Sequence, residues 1–395
     1  MTGITGQGTT FNLPNYTGEL MGVSPEDTPL LSSIGGLTGG KEANAPIFEW
    51  QGYDLRDPEE NRSKTEGATA GSGEERVRFN VDNVVEIHQE VVEVSYTKQA
   101  ATGLRNGNNI DGTNPVTAEL PWQVAQALKQ IARDVEASFI LGQYQKPSDN
   151  TIPRKTRGLL AAIQTNVIDL GEAHASLSAA TDTITETATT LADNDAVRFT
   201  ATGASTTVKL NRTYYVVGKT TNAFKVSATR GGAPITIGTA TVSVRKMSTA
   251  APTKGSYDNL FQTVYDNGGI AEGETATIIV GSDQKRNVSG AYNSDGKNNG
   301  VQSRNVGGVN FQTIETDFGR LNIMLDRWMP KDALAVVSLE QLAPVFLRIP
   351  GKGHFFEEPL AKTGASDKVQ IYGEIGLEYG NEKSHGVLRG LPLAQ

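Results

Sequence analysis

The 395-residue sequence predicts an α+β fold with a small all-β module inserted into it, and three observations carry that reading. Residues 117–142 space their apolar side chains as a long helix does. Residues 46–96 alternate with a period of two. Between 174 and 249 the texture changes to short Ser-, Thr- and Ala-rich alternating runs, while the segments on either side read as consecutive pieces of one domain.

In the helical stretch, Leu120, Val124, Leu128, Ile131, Val135 and Phe139 recur every three or four positions and so share one stripe. Gln123, Gln126, Gln130, Arg133 and Glu136 mark the opposite face. Thr117 suits the cap, Pro121 is tolerated where early N–H groups lack partners, and Gly142 suits the end. A rod of this length is a spine for other parts.

Ahead of it, residues 1–45 lack sustained periodicity and are broken by Pro14, Pro25, Pro29 and the GGLTGG cluster at 35–40. Phe11, Leu13, Tyr16, Leu20, Met21, Leu30, Leu31 and Ile34 are more apolar anchors than a solvating tail needs, so an arm that orders across a neighbour is expected. From 46 to 96, Phe48 and Trp50, Tyr53 and Leu55, then Val77, Phe79, Val81, Val85 and Ile87 alternate. Val92, Val94 and Tyr96 follow in the opposite phase, which predicts a bulge or bend between 87 and 92. The polar stretch 56–75 makes this a long β-hairpin. Such a hairpin is marginal alone, so support from another copy of the chain is expected. Arg56, Asp57, Glu59, Glu60, Arg62 and Lys64 at its tip form a solvated face by default. Their alternating signs also make them candidate intersubunit contacts, because complementary charge fixes register more than it adds affinity.

Beyond the spine, 157–171 reads as a short helix or strand. Within 174–249, strands are expected at 196–200, 207–210, 213–219, 223–227, 234–237 and 241–245. The remainder is α/β in character: a helix at 256–269, a buried strand at 276–282, a turn into a helix at 282–292, strands at 319–330 and 333–338, and two strands or a strand and hairpin across 369–391.

A formal charge of −8 argues against a protein that grips nucleic acid along a basic surface, though not against one that encloses it. Cysteine is absent, which excludes disulfides and thiolate metal sites. No apolar run reaches the 18 to 20 residues of a membrane helix, and the polar opening carries no signal segment, so a soluble protein made and assembled inside a cell is expected, with no membrane partner. His88, His174, His354 and His385 are scattered without ligand spacing, and no nucleophile elbow, phosphate loop or dinucleotide fingerprint occurs. The loops 193–195 and 293–300 only faintly suggest calcium. No catalytic, cofactor-binding or metal residue is assigned, no cofactor is expected, and an enzyme is the weakest reading.

The order of arm, hairpin, spine helix and α/β region resembles the major capsid proteins of tailed bacteriophages, with the Hong Kong 97 type of fold. The most specific stretches are TIIVGSDQKRNVSGAY (277–292), TIETDFGRLNIMLDRWMP (313–330) and EPLAKTGASDKVQIYGEIGLEYGNEKSHGVLRGL (358–391). Residues 213–237, TYYVVGKTTNAFKVSATRGGAPITI, are similar to small β-modules of other phage virion proteins. The resemblance implies an N-terminal arm at 1–45, an extended loop at 46–96, a peripheral domain at 97–173 with the spine helix at 117–142, the inserted β-module at 174–249, an axial domain at 250–347, and C-terminal strands of the peripheral domain at 348–395. It further implies pentamers and hexamers in an icosahedral shell that encloses double-stranded DNA without sequence-specific binding. The implied setting is the virion, assembled in the bacterial cytoplasm with a separate scaffolding protein and a portal protein. Some relatives join subunits through Lys–Asn bonds, but nothing near Lys64 supplies the acidic catalyst or Asn acceptor, so no cross-link is expected. The alternative is another virion component, a tail or adhesion protein whose β-module binds glycans.

Overall fold

The computed structural model of the protein describes residues 27–53, 55–56, 58–97, 119–270, 276–293, 303–306, 309–362 and 364–393. The first 26 residues of the expected arm, Asp57, Thr117 and residues 294–300 lie outside the described residues.

The described residues form two sheets, a closed barrel, a two-stranded ribbon and one long helix, Glu119–Leu141. The first sheet is centred on the 13-residue strand Ser366–Glu378. One edge of that strand pairs antiparallel with Glu86–Ser95, from Ser366 opposite Ser95 to Ile375 opposite Glu86. Its other edge pairs with Phe355–Pro359 and then Ala343–Leu347, and Lys41–Ala43 adds a parallel strand outside the latter. The helix lies on this sheet. Val124, Ile131, Val135 and Phe139 are buried with Val92, Val94, Ile371 and Ile375. Leu128 is exposed instead and Ala127 is buried, because the small residue faces the sheet and lets the helix approach it.

The expected bulge between 87 and 92 is absent: Glu86–Ser95 keeps one register throughout. The phase changes because the inward positions are first Glu86, His88 and Glu90 and then Val92 and Val94, while Ile87 and Val91 face outward. The break falls earlier, at Val85, where the chain passes from ribbon to sheet.

The second sheet has seven strands in the order Ser303–Val306, Val309–Thr316, Gly319–Leu325, Thr277–Val280, Leu334–Val337, Gly386–Arg389, Val167–Asp169. Thr277–Val280 and Leu334–Val337 are buried at every position, as continuous apolar runs in a covered sheet should be. Tyr257, Leu260, Phe261 and Val264 of helix Lys254–Asp266 seal one side, with Val288 of helix Ser282–Asn293. The strands Ser366–Glu378 and Gly386–Arg389 therefore lie in different sheets, joined by a turn at Glu382–Ser384.

Residues 172–246 form a closed six-stranded barrel, ordered Ala223–Ser227, Thr183–Thr185, Glu172–Ala180, Ala240–Lys246, Ala196–Ala201, Thr213–Val217. Its interior is filled by Leu177, Phe199, Val216, Phe224, Val226 and Val242. The expected runs at 207–210 and 234–237 make only isolated contacts with the wall, such as the Ile235 N–H to the Val226 carbonyl at 2.8 Å. The hairpin of Glu172–Ala180 and Thr183–Thr185 was not expected, because its Ala- and Ser-rich sequence lacks the β-branched and aromatic residues that signal a strand. The barrel's two ends meet: the Leu170 N–H donates to the Arg389 carbonyl at 2.9 Å and the Ser248 N–H to the Gly390 carbonyl at 2.8 Å.

Candidate intersubunit surface

Ile47–Tyr53 and Arg78–Val84 form the ribbon of the hairpin, with Trp50 opposite Val81 and Gly52 opposite Phe79. Strand alternation puts Phe48, Trp50, Phe79 and Val81 on one face and Glu49, Gln51, Asn80 and Asp82 on the other. At its base the apolar face rests on the same chain, so part of the support expected from another copy is supplied from within. Trp50 Nε1 donates to the Gly380 carbonyl at 2.8 Å, and the indole meets the Tyr379 ring edge-on at 4.8 Å. Buried Asn83 donates to the Leu377 carbonyl at 2.7 Å and accepts from the Arg157 N–H at 2.8 Å.

The outer half is open. Tyr53, Leu55 and Val77 are 68%, 66% and 77% exposed, and Phe79 covers Gly52, where a Cβ would come within 2.4 Å of its ring. Between this half and the turn at Glu340–Gln341 lies a cleft of about 670 Å³, floored by Trp50 and Val81 and flanked by Lys41 and Glu378.

The tip is braced internally. Glu74 is the hub: Arg56 Nε approaches it at 3.4 Å, Arg76 donates to it at 3.1 Å, and Arg62 donates across the loop. The Arg76 hydrogen bond, followed by the charge of Arg62, holds the Glu74 carboxyl below its ordinary range. Of the candidate contacts, Arg56, Glu59 and Arg62 are thus engaged within the tip, Arg56 also meeting Glu59 at 3.7 Å. Glu60 and Lys64 are exposed and make no ion pair among the described residues, and Asp57 lies outside them.

Two buried charge clusters stand away from the hairpin. Glu136, placed by its spacing on the helix's polar face, is fully buried, and its carboxyl oxygens accept the Leu30 and Leu31 N–H groups at 2.8 and 2.6 Å. The arm's short helix Pro29–Ile34 covers it there, which is why a carboxyl is tolerated inside. At the foot of the barrel, buried Arg198 donates to Asp169 and its Nε lies 2.9 Å from Asp332 Oδ2, while Arg245 reaches Asp169 at 3.4 Å. Asp332 is 1% exposed, and burial raises its carboxyl pKa against the pull of Arg198.

The histidines stay apart. His174 contacts Glu186 inside the barrel foot at 2.6 Å, His354 stacks on Phe346 at 4.2 Å, and His385 bridges the Tyr379 carbonyl and the Ser338 N–H. Asp193 and Asp195 accept from the Lys219 and Ala192 N–H groups, so the loop faintly read as a calcium site is satisfied by its own chain.

A family model described as SU10 major capsid protein matches residues 3–392. The chain belongs to that family. A major capsid protein of Escherichia phage Phieco32 is 26% identical over 374 residues, spanning 93% of this chain and 90% of that protein. The capsid asymmetric unit of Cyanophage A-1(L) superposes with a TM-score of 0.52 at 12% identity, over 97% of this chain and 98% of its own. The holo-SrpI encapsulin complex from Synechococcus elongatus PCC 7942 gives 0.51 at 10% identity, over 98% and 95%. Identities this low show the fold alone, the Hong Kong 97 type, which phage capsids and encapsulins share. The family match separates the two: this is a major capsid protein, a subunit of the icosahedral head shell of a tailed phage.

In this capsid subunit the sequence pattern located the hairpin but missed both buried charge clusters. A signal for Glu136 existed, since Ile140 lies one turn on and Ala132 one turn back, on the flank of the apolar stripe. Nothing in the spacing of Asp169, Arg198 and Asp332 could have joined them, because the fold brings them together from three separate elements.

Proposed function

We propose that the capsid subunit assembles into pentamers and hexamers around packaged double-stranded DNA, and that the outer half of the hairpin is laid on a neighbouring subunit. The carrying observation is where apolar surface remains uncovered. Of fourteen large apolar side chains exposed among the described residues, eight lie between Ile47 and Tyr96, and none lies in the barrel. Apolar exposure this concentrated marks a surface that association covers. In this reading the first sheet with the spine helix is the peripheral domain, the second sheet is the axial domain, and the barrel is a decoration inserted between strand Val167–Asp169 and helix Lys254–Asp266. Its outer wall, which shows no large exposed apolar side chain, supports a place facing solvent. A separate scaffolding protein, a portal protein and assembly in the host cytoplasm complete the proposal, and the role is structural rather than catalytic.

Electron microscopy of the co-expressed chain and scaffold tests it. Closed shells are expected from the wild type, and soluble, folded but unassembled protein from Phe79→Asp combined with Val77→Asp. Normal shells from that variant would place the contact elsewhere.

A further inference from the structure

Beneath the arm the carboxyls of Glu136 and Asp326 come within hydrogen-bonding reach of one another, a contact that the assembly reading does not use. Glu136 of the spine helix and Asp326, just after strand Gly319–Leu325, are both fully buried. Glu136 holds the first N–H groups of helix Pro29–Ile34, none of which is capped by the side chain of the preceding residue, Thr28. Asp326 Oδ1 accepts the Trp328 N–H at 2.8 Å, whereas Oδ2 is buried without a donor among the described residues.

Among the described residues, the elements packed around the pair contribute these charges, and no ion pair to either carboxyl forms. The arm brings Asp27, a further negative charge. The loop brings Arg327, which is committed to Asp27 at 2.7 Å at the surface. The spine helix brings Arg133, which lies over the Trp328 ring at 5.3 Å and donates to Gln130 at 3.0 Å. Two buried carboxylates facing one another without a cation cannot both stay ionised. A single proton on Glu136 resolves the geometry: its O–H donates to the orphaned Asp326 Oδ2, while remaining lone pairs still accept from Leu30 and Leu31.

We propose that Glu136 and Asp326 share one proton and that this proton is the latch holding the arm's helix, Pro29–Ile34, on the spine helix. Hydroxide removes it as water, leaving two facing carboxylates whose repulsion frees the arm. The inference concerns contacts within one chain and does not depend on how subunits meet.

Burial, followed by repulsion from Asp326, pushes the Glu136 pKa up to about 9. With the arm off, water reaches the carboxyl and its pKa falls back toward the ordinary 4.5. A raised pKa in the closed state means that closure takes up a proton. The latch is at full strength in acid, weakens as pH rises above the ordinary value, and is lost as pH passes through the raised one.

Hydrogen exchange on the full-length protein tests this, comparing wild type, Glu136→Gln and Asp326→Asn at about pH 7 and about pH 10, with protection of residues 29–34 normalised to the barrel strand Thr213–Val217. In wild type that protection should fall about tenfold or more at the higher pH. The amide introduced by Glu136→Gln donates to Asp326 without a titratable proton but leaves one of the two arm N–H groups without its acceptor, so its protection should be lower at both pH values yet change by no more than about twofold between them, and Asp326→Asn, which removes the opposing charge, should likewise change by no more than about twofold. Equal loss in all three proteins, or wild-type protection unchanged at the higher pH, would overturn the latch. The wild-type measurement decides this alone if a variant fails to fold.

Discussion

Replacing Arg198 by Met should uncouple the barrel from the second sheet. The guanidinium is 2% exposed and faces Asp332, 1% exposed, and Asp169. Asp169 keeps a cation in Arg245, so the cost is set by Asp332. Removing one partner of a buried ion pair costs about 3–5 kcal/mol, because the other charge is left uncompensated. Burial already raises the Asp332 pKa, so its carboxyl can escape part of that cost by taking a proton, and Arg389 supplies some remaining positive field. We therefore expect a loss near the lower end, about 3 kcal/mol at neutral pH and less in acid. Trp50, Trp122 and Trp328 all lie outside the barrel, so tryptophan fluorescence would miss the event. Native-state hydrogen exchange at Val197 and Val244, which flank the cluster, reads it directly. Adding Asp332→Asn to Arg198→Met should return stability to within about 1 kcal/mol of wild type, since the pair is then neutral on both sides. A single variant within about 0.5 kcal/mol of wild type, or a double variant no better than the single, would refute the reasoning. Deleting residues 174–249 raises the same problem, and such a deletion should assemble better with Asp332→Asn than without it.

A methyl group at Gly142 would lie 2.4 Å from the Ser138 carbonyl and 2.6 Å from the Thr156 carbonyl, so Gly142→Ala should cost about 1–3 kcal/mol in a urea titration. Gly290→Ala, with nothing near its site in a helix, should be neutral or stabilising by up to about 1 kcal/mol, and equal effects at the two glycines would contradict the packing argument. His385 is fully buried, with Nδ1 accepting the Ser338 N–H at 3.2 Å and Nε2 donating to the Tyr379 carbonyl at 2.8 Å. Burial lowers its pKa below the ordinary 6.5, so the unfolded state binds more protons as pH falls below that value and local stability drops. Exchange protection of strand Gly386–Arg389 should therefore decline from about pH 7 to about pH 5, and a flat profile would remove His385 as the cause.

The elements with strong hydrophobic patterning were legible: the spine helix, the hairpin strands, and the fully buried strands Thr277–Val280 and Leu334–Val337. What was not legible depended on tertiary partners. Glu86, His88 and Glu90 face the helix while Ile87 and Val91 face outward, so hydropathy alone mistook a change of surroundings for a change of register. The alternation of sign at the tip is visible in the sequence, whereas the closure of Arg56 and Arg62 around Glu74 depends on how the loop folds back. Buried carboxyls such as Glu136 and Asp326 resemble surface residues until the arm that covers them is in place.

The pairing of the first sheet also bears on synthesis. Ser95 and Ser366 are neighbours in space yet 271 positions apart in sequence, and Gly386–Arg389 closes the gap between two strands of the second sheet. A chain emerging from the ribosome holds Glu86–Ser95 without a partner for most of its translation, and neither sheet can be completed before the C-terminal strands appear. A product truncated by a stalled ribosome or a nonsense codon lacks the centre of one sheet and an interior strand of the other. It cannot make a rigid building block, so folding itself proofreads chain length, and a structure built from many copies is not seeded with incomplete ones.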